Sequence, residues 1–152
     1  MPGVVRLVAA SLLAASSARA QVTVTRGLSF GTIVSGTTTS VAATSPSAAA
    51  FSISAVLGIG GSIALTLPTS LARVGGGATM PVTFCATCAI VRVNNPNPVG
   101  GVAFDPKLPL TGLTIVVLSN IYIWVGGAVS PPLNQAPGSY TGTMVLTIHP
   151  IL

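Results

Sequence analysis

Residues 140–148 read Tyr-Thr-Gly-Thr-Met-Val-Leu-Thr-Ile. Tyr140, Met144, Leu146 and Ile148 share one parity; Thr141, Thr143, Val145, Thr147 and His149 share the other. A period of two, apolar against mostly polar, is the signature of a strand with one face on a core. Pro137-Gly138 supplies a turn before it, and Pro150 ends its ladder pairing. So regular a strand this late in the chain needs a partner, either an early segment or a neighbouring subunit.

The preceding chain repeats the pattern in short pieces. Val22, Val24, Leu28 and Phe30 share a parity, with Arg26 falling on it and Gly27 following; this predicts a bulge that lets the arginine leave the core face. Residues 37–41 suit a short threonine-rich strand, and residues 42–50 a loop. Phe51, Ile53 and Ala55, then Ile63, Leu65 and Leu67, alternate on either side of Gly58 and Gly60-Gly61, which predicts a hairpin or consecutive strand pair. Met80, Val82 and Phe84 form another run, and Val91 and Val93 a further one. Residues 94–101, Asn-Asn-Pro-Asn-Pro-Val-Gly-Gly, read as a loop. Residues 113–125 are apolar on both faces, as in a central strand; a buried helix is the other choice, against which the density of β-branched residues argues. Many short strands between Gly/Pro turns predict an all-β fold, an immunoglobulin-like Greek-key β-sandwich.

Residues 1–20 stand apart. Arg6 precedes an apolar run over residues 7–15, and Ala18-Arg19-Ala20 fits a small-x-small cleavage site. The run is short for a bilayer span, although an uncleaved anchor or a buried helix is the other way to use it. The expectation is a signal peptide over 1–20, one domain over 21–152, and no transmembrane segment in the mature chain. The destination is the cell surface or the medium.

Beyond Ala20 the charged side chains are Arg26, Arg73, Arg92, Lys107 and Asp105. Four scattered cations make no nucleic-acid footprint. One carboxylate cannot form an acid–base pair, and the single histidine, His149, has no orienting acid in sequence view. Calcium needs more oxygen ligands than this chain offers. Gly75-Gly76-Gly77 lacks the lysine and the following helix of a phosphate loop. The expectation is no enzyme, no cofactor, no metal and no small-molecule substrate. Cys85-Ala86-Thr87-Cys88 lies between β-rich runs. In an exported chain a Cys85–Cys88 disulfide is favoured over free thiols and over redox or metal chemistry.

Several motifs in order carry a resemblance. They are Leu28-Ser29-Phe30-Gly31 with Thr32-Ile33-Val34, Met80-Pro81-Val82-Thr83-Phe84, Val125-Gly126-Gly127-Ala128, and Pro137-Gly138-Ser139-Tyr140-Thr141-Gly142-Thr143. Together they resemble the DUF4402 family of small exported bacterial proteins, which is similar to spore coat U and chaperone–usher pilin subunits. The resemblance implies an immunoglobulin-like sandwich with a structural role at the cell surface and no catalytic residues. The chain differs from pilins in placing its cysteines three apart and in its scarcity of charge.

The functional expectation is an exported structural subunit that self-associates into a fibre or pilus-like assembly, alone or with other surface subunits. A chain so poor in charge is suited to having its apolar faces covered by neighbours. Val22 and Val24 are candidates to insert beside a terminal strand carrying Tyr140, Met144, Leu146 and Ile148, in cis or in a neighbour. The alternative is a monomeric surface module that binds a glycan or protein through Tyr122, Trp124 or the loop 94–101.

Overall fold

A computed structural model describes residues 3–6, 8–9, 20–55, 60–114 and 120–149. Leu7 and residues 10–19 of the expected leader, the break at Gly58 and residues 115–119 of the apolar stretch lie outside them. Every regular element among the described residues is a strand. In chain order these are β1 (Gly3–Arg6), β2 (Val8–Ala9), β3 (Ala20–Arg26), β4 (Ser29–Ile33), β5 (Thr39–Val41), β6 (Ala49–Ala55), β7 (Gly60–Thr66) and β8 (Ser70–Arg73). They continue as β9 (Thr79–Thr83), β10 (Ala89–Val93), β11 (Val102–Phe104), β12 (Leu110–Thr114), β13 (Asn120–Val125), β14 (Gly127–Val129), β15 (Tyr140–Thr141) and β16 (Thr143–His149).

The strands form three sheets, in the orders β4-β1-β15-β8-β9-β14-β5, β11-β10-β13-β6-β3 and β12-β7-β16-β2. In the first, the two end strands β4 and β5 are chain neighbours joined by residues 34–38. A sheet whose ends are tied by so short a link has to curl. One core runs through all three sheets: Phe30 and Ile33 of β4, Phe51 and Ile53 of β6, Ile63 of β7, Leu71 of β8, Met80 and Val82 of β9, Ile121 and Ile123 of β13, and Tyr140, Met144 and Leu146 at the end. The fold is all-β and sandwich-like.

The terminal strand has the predicted faces. Tyr140, Met144 and Leu146 are buried, Ile148 is half-buried and His149 is exposed. Gly142 divides it into β15 and β16, and each half finds a partner in the segment from β7 to β8. Tyr140 and Thr141 pair with Arg73 and Ala72, and Val145 through His149 pair antiparallel with Thr66 through Ser62.

The runs around 51–55 and 63–67 do not form the expected hairpin. β6 lies in the middle of one sheet between β13 and β3, and β7 pairs with β12 and β16 in another. Alternation of apolar residues is the same for a hairpin arm as for a strand that crosses to the facing sheet, so the period alone does not distinguish them. The bulge in β3 falls one residue before the expected place. Val24 pairs with Phe51 and Arg26 with Ala50, leaving Thr25 as the extra residue. Arg26 then turns to donate from Nε to the Ala48 carbonyl at 2.8 Å.

Two glycine sites show different constraints. Gly75, Gly76 and Gly77, in the turn between β8 and β9, all have φ between 85° and 91°, and a Cβ there would meet nothing within 4 Å. Gly126, where the chain passes from β13 to β14, is limited by space: a Cβ would lie 2.1 Å from the Val41 carbonyl oxygen. Gly126→Ala is therefore expected to destabilise by about 3 kcal/mol, as overpacking against rigid backbone does. Gly75→Ala should cost only about 1 kcal/mol, the backbone term alone. Urea unfolding of the two variants checks this order.

Candidate functional site

The first sheet has a weak point. β4 stands at its end, and its one ladder partner among the described residues is β1. The pairing is antiparallel: Gly3 with Ile33, Val4 with Thr32, Val5 with Gly31, then Arg6 with Ser29 after a one-residue shift. The shift leaves Phe30 as the extra residue, beside Gly31 with φ 68°. Such a bulge bends the strand locally.

On its other edge the same N-terminal segment pairs in parallel with the terminal strand. Val5 lies opposite Tyr140, Val8 opposite Thr143 and Ala9 opposite Met144. The offset between partners is the same in the two pairings. β1 thus fills a slot with β4 as one wall and β15 as the other, while β2 lies at the edge of the third sheet beside β16. Strands in a sheet lie about 4.8 Å apart, so these walls stand roughly 10 Å from each other.

Both walls are held from behind. Leu28, Phe30 and Ile33 are buried in the core, and the Ser29 amide donates to the Ser47 carbonyl at 2.9 Å. Past β4, the Gly36 amide donates to the Pro131 carbonyl at 2.9 Å. On the opposite wall Tyr140 is fully buried. Its hydroxyl donates to the Ala136 carbonyl at 2.5 Å and accepts from Gln135 Nε2 at 2.6 Å. Gln135 Nε2 also reaches the Thr79 carbonyl at 3.1 Å. Gln135 Oε1 is buried with no hydrogen-bond partner and borders a cavity of about 10 Å³, also lined by Ile33, Met80 and Tyr140. That is room for about one water.

The structure does not bring Val22 and Val24 to the terminal strand. They lie in β3, half-buried, opposite Ile53 and Phe51 of β6 at the edge of the second sheet. Their alternation with threonines, read from sequence, suits either place. The strand that does lie beside Tyr140 and Met144 belongs to the expected leader, and sequence reasoning set it aside as a targeting segment. Residues 3–9, Gly-Val-Val-Arg-Leu-Val-Ala, show no alternation that would have announced a strand.

Cys85 and Cys88 form a disulfide, with Cα atoms 5.0 Å apart. They flank the turn that carries the chain from β9 in the first sheet to β10 in the second, closed by the Cys88 amide on the Cys85 carbonyl at 3.2 Å. The few cations are engaged locally. Arg73 Nε donates to the Pro137 carbonyl at 2.8 Å. One Arg92 terminal nitrogen donates to the carbonyls of Asn97 and Val99 at 3.0 and 2.6 Å. Lys107 lies 3.8 Å from Asp105. Tyr122 and Trp124 stack at 6.1 Å on the outer face of the second sheet, but Trp124 is buried with Ala43 and Ala50. Among the described residues no three His, Cys, Asp or Glu side chains gather as a metal site, and no helix is long and apolar enough to cross a membrane.

In comparison with known proteins, the chain matches no family model and no curated sequence at a significant level.

Tyr140→Phe should cost about 1–3 kcal/mol, because the Ala136 carbonyl loses its donor and the Gln135 amide an acceptor. Urea unfolding measures it. The disulfide predicts no alkylation of either cysteine without reductant. Replacing both cysteines by serine should cost about 2 kcal/mol or less, since the closed loop is short. Mass spectrometry of alkylated protein and the same unfolding assay check both.

Proposed function

We propose that this is an exported structural subunit of the cell surface, processed after Ala20, which associates with its neighbours by β-strand addition at the slot between β4 and the terminal strand. One observation carries the reading: among the described residues β4 is ladder-paired only with β1, and β1 lies within the segment expected to be a cleaved leader. Loss of that strand leaves two walls with unpaired backbone groups above an apolar core. An unprotected edge of this kind recruits a strand from another chain. Nearly all the charge that would discourage such pairing is missing from the sequence.

The immunoglobulin-like Greek-key arrangement belongs to the same proposal. The bond from the Tyr140 hydroxyl to the backbone four residues upstream supports it, since a tyrosine corner of this type marks such sandwiches. Membership of the DUF4402 family rests on the four short motifs and their order. The subunit has no catalytic role in this reading, because its one carboxylate is beside Lys107 on a loop and His149 is exposed at a strand end. A monomeric binding module built on Tyr122 and Trp124 has less support, given that Trp124 is buried.

In this account Val22 and Val24 first serve their own domain. For them to complete a neighbour, β3 would have to leave β6.

Size-exclusion chromatography and negative-stain microscopy test the reading on two forms: the chain with its leader retained, and the form recovered after export, whose intact mass should begin at Gln21. The first should run as a monomer and the second as polymers or strand-exchanged oligomers. A processed form that stays monomeric at high concentration would contradict it.

A further inference from the structure

We propose that the Cys85–Cys88 disulfide is a thiol-exchange site on the folded surface: a small external thiol attacks Cys85 Sγ, Cys88 Sγ leaves as the thiolate, and the domain stays folded throughout. The inference is independent of how the chain assembles.

Access favours Cys85. Cys85, Ala86 and Thr87 are exposed in the turn between β9 and β10, whereas Cys88 is half-buried and is followed by the fully buried Ala89. Exposed disulfides are the labile ones, and shielded ones resist reduction. Within this pair Cys85 is the residue open to an incoming thiol.

Hydrogen bonding gives the same direction. The Cys85 amide donates to Cys88 Sγ at 2.9 Å. Cys85 Sγ lies 3.7 Å from the Thr87 hydroxyl oxygen, a much longer contact. When the S–S bond breaks, negative charge collects on the departing sulfur. A hydrogen bond that becomes charge-assisted at that moment is strengthened, and exchange is faster when the departing thiolate is better stabilised. Cys88 is therefore the leaving group and Cys85 the sulfur attacked.

The backbone holds the turn without the sulfurs. The Cys88 amide donates to the Cys85 carbonyl at 3.2 Å, and the Gly126 amide donates to the Cys88 carbonyl at 2.8 Å. On either side of the turn, Thr83 pairs with Ala128, and Ala89 pairs with both Val125 and Phe104. The Phe84 side chain is buried. None of these interactions passes through the disulfide, so the crossing from β9 to β10 keeps its place when the bond opens.

The electron pair of an incoming thiolate, RS⁻, forms an RS–Sγ bond at Cys85. The Sγ–Sγ bond breaks, and its pair goes to Cys88 Sγ, which takes up a proton from solvent. A second RS⁻ attacks the external sulfur of the mixed disulfide, releasing RSSR and leaving Cys85 as a thiolate. Two thiols are oxidised and one protein disulfide is reduced. In the reverse direction the Cys88 thiolate attacks Cys85 Sγ, expels RS⁻ and restores the ring. The turn is a substrate of this chemistry and not its catalyst. Every regular element among the described residues is a strand, so no helix N-terminus among them activates an attacking thiolate.

The test treats the folded full chain with reduced glutathione. The reaction is stopped at early times with excess N-ethylmaleimide, before glutathione can migrate between the sulfurs, and the adducts are mapped by peptide mass spectrometry. Glutathione on Cys85 with maleimide on Cys88 should exceed the reverse arrangement about tenfold, and Thr87→Val should leave that ratio unchanged. Amide protection of β10 and β13 should be the same in the reduced and oxidised proteins. Equal labelling of the two cysteines, a preference for Cys88, or a ratio that changes in Thr87→Val would overturn the proposal. So would a reaction that needs urea, or loss of protection in β10 and β13 on reduction.

Discussion

A strand at the end of a sheet has backbone donors and acceptors on one side that must find water or another strand. In this protein one such edge strand, β4, depends for its pairing on the N-terminal segment. β4 holds Phe30 and Ile33 in the core but has a single ladder partner among the described residues, and that partner is N-terminal to everything the sequence marks as mature. The curl of the first sheet depends on it, because β4 and β5 close the sheet's two ends through only residues 34–38. Tyr140 and Met144 are buried with the N-terminal segment paired beside them.

Around that edge strand, hydrogen bonds to loop carbonyls do much of the fixing. Arg26, Arg73 and Arg92 each hold a main-chain carbonyl of a neighbouring segment instead of an acid. Arg92 shapes the loop 94–101 together with two side-chain turns, in which Asn95 and Asn97 accept from the amides two residues on. With almost no carboxylates to pair with, the guanidinium groups act as loop ties.

The strand class was legible in the sequence because burial on one face writes a period of two. Tyr140, Met144 and Leu146, or Met80, Val82 and Phe84, announce their facing without any tertiary knowledge. The disulfide was legible too, since two cysteines three apart between β-rich runs suit a bridged turn better than a metal or redox site. Pairing partners were not legible. The 51–55 and 63–67 runs have the period of a hairpin yet enter different sheets, because a strand's alternation says which face is apolar and nothing about its neighbour. For the same reason Val22 and Val24 fitted the terminal strand on paper and β6 in the structure. The slot was hidden by a different cause: the first nine residues fit the start of a targeting segment, and their nearly unbroken apolar run carries no strand period.

Amide hydrogen exchange on the unprocessed and processed forms is the measurement closest to the central claim. With the N-terminal segment present, the amides of β4 and of Tyr140, Thr143 and Met144 should exchange slowly. In the processed form, kept dilute so that it stays unassembled, those amides that point into the slot should exchange at least a hundredfold faster, while Ile121 and Ile123 of β13 keep their protection. Equal protection of β4 and the terminal strand in both forms would show that the domain closes the slot by itself, and would contradict the account.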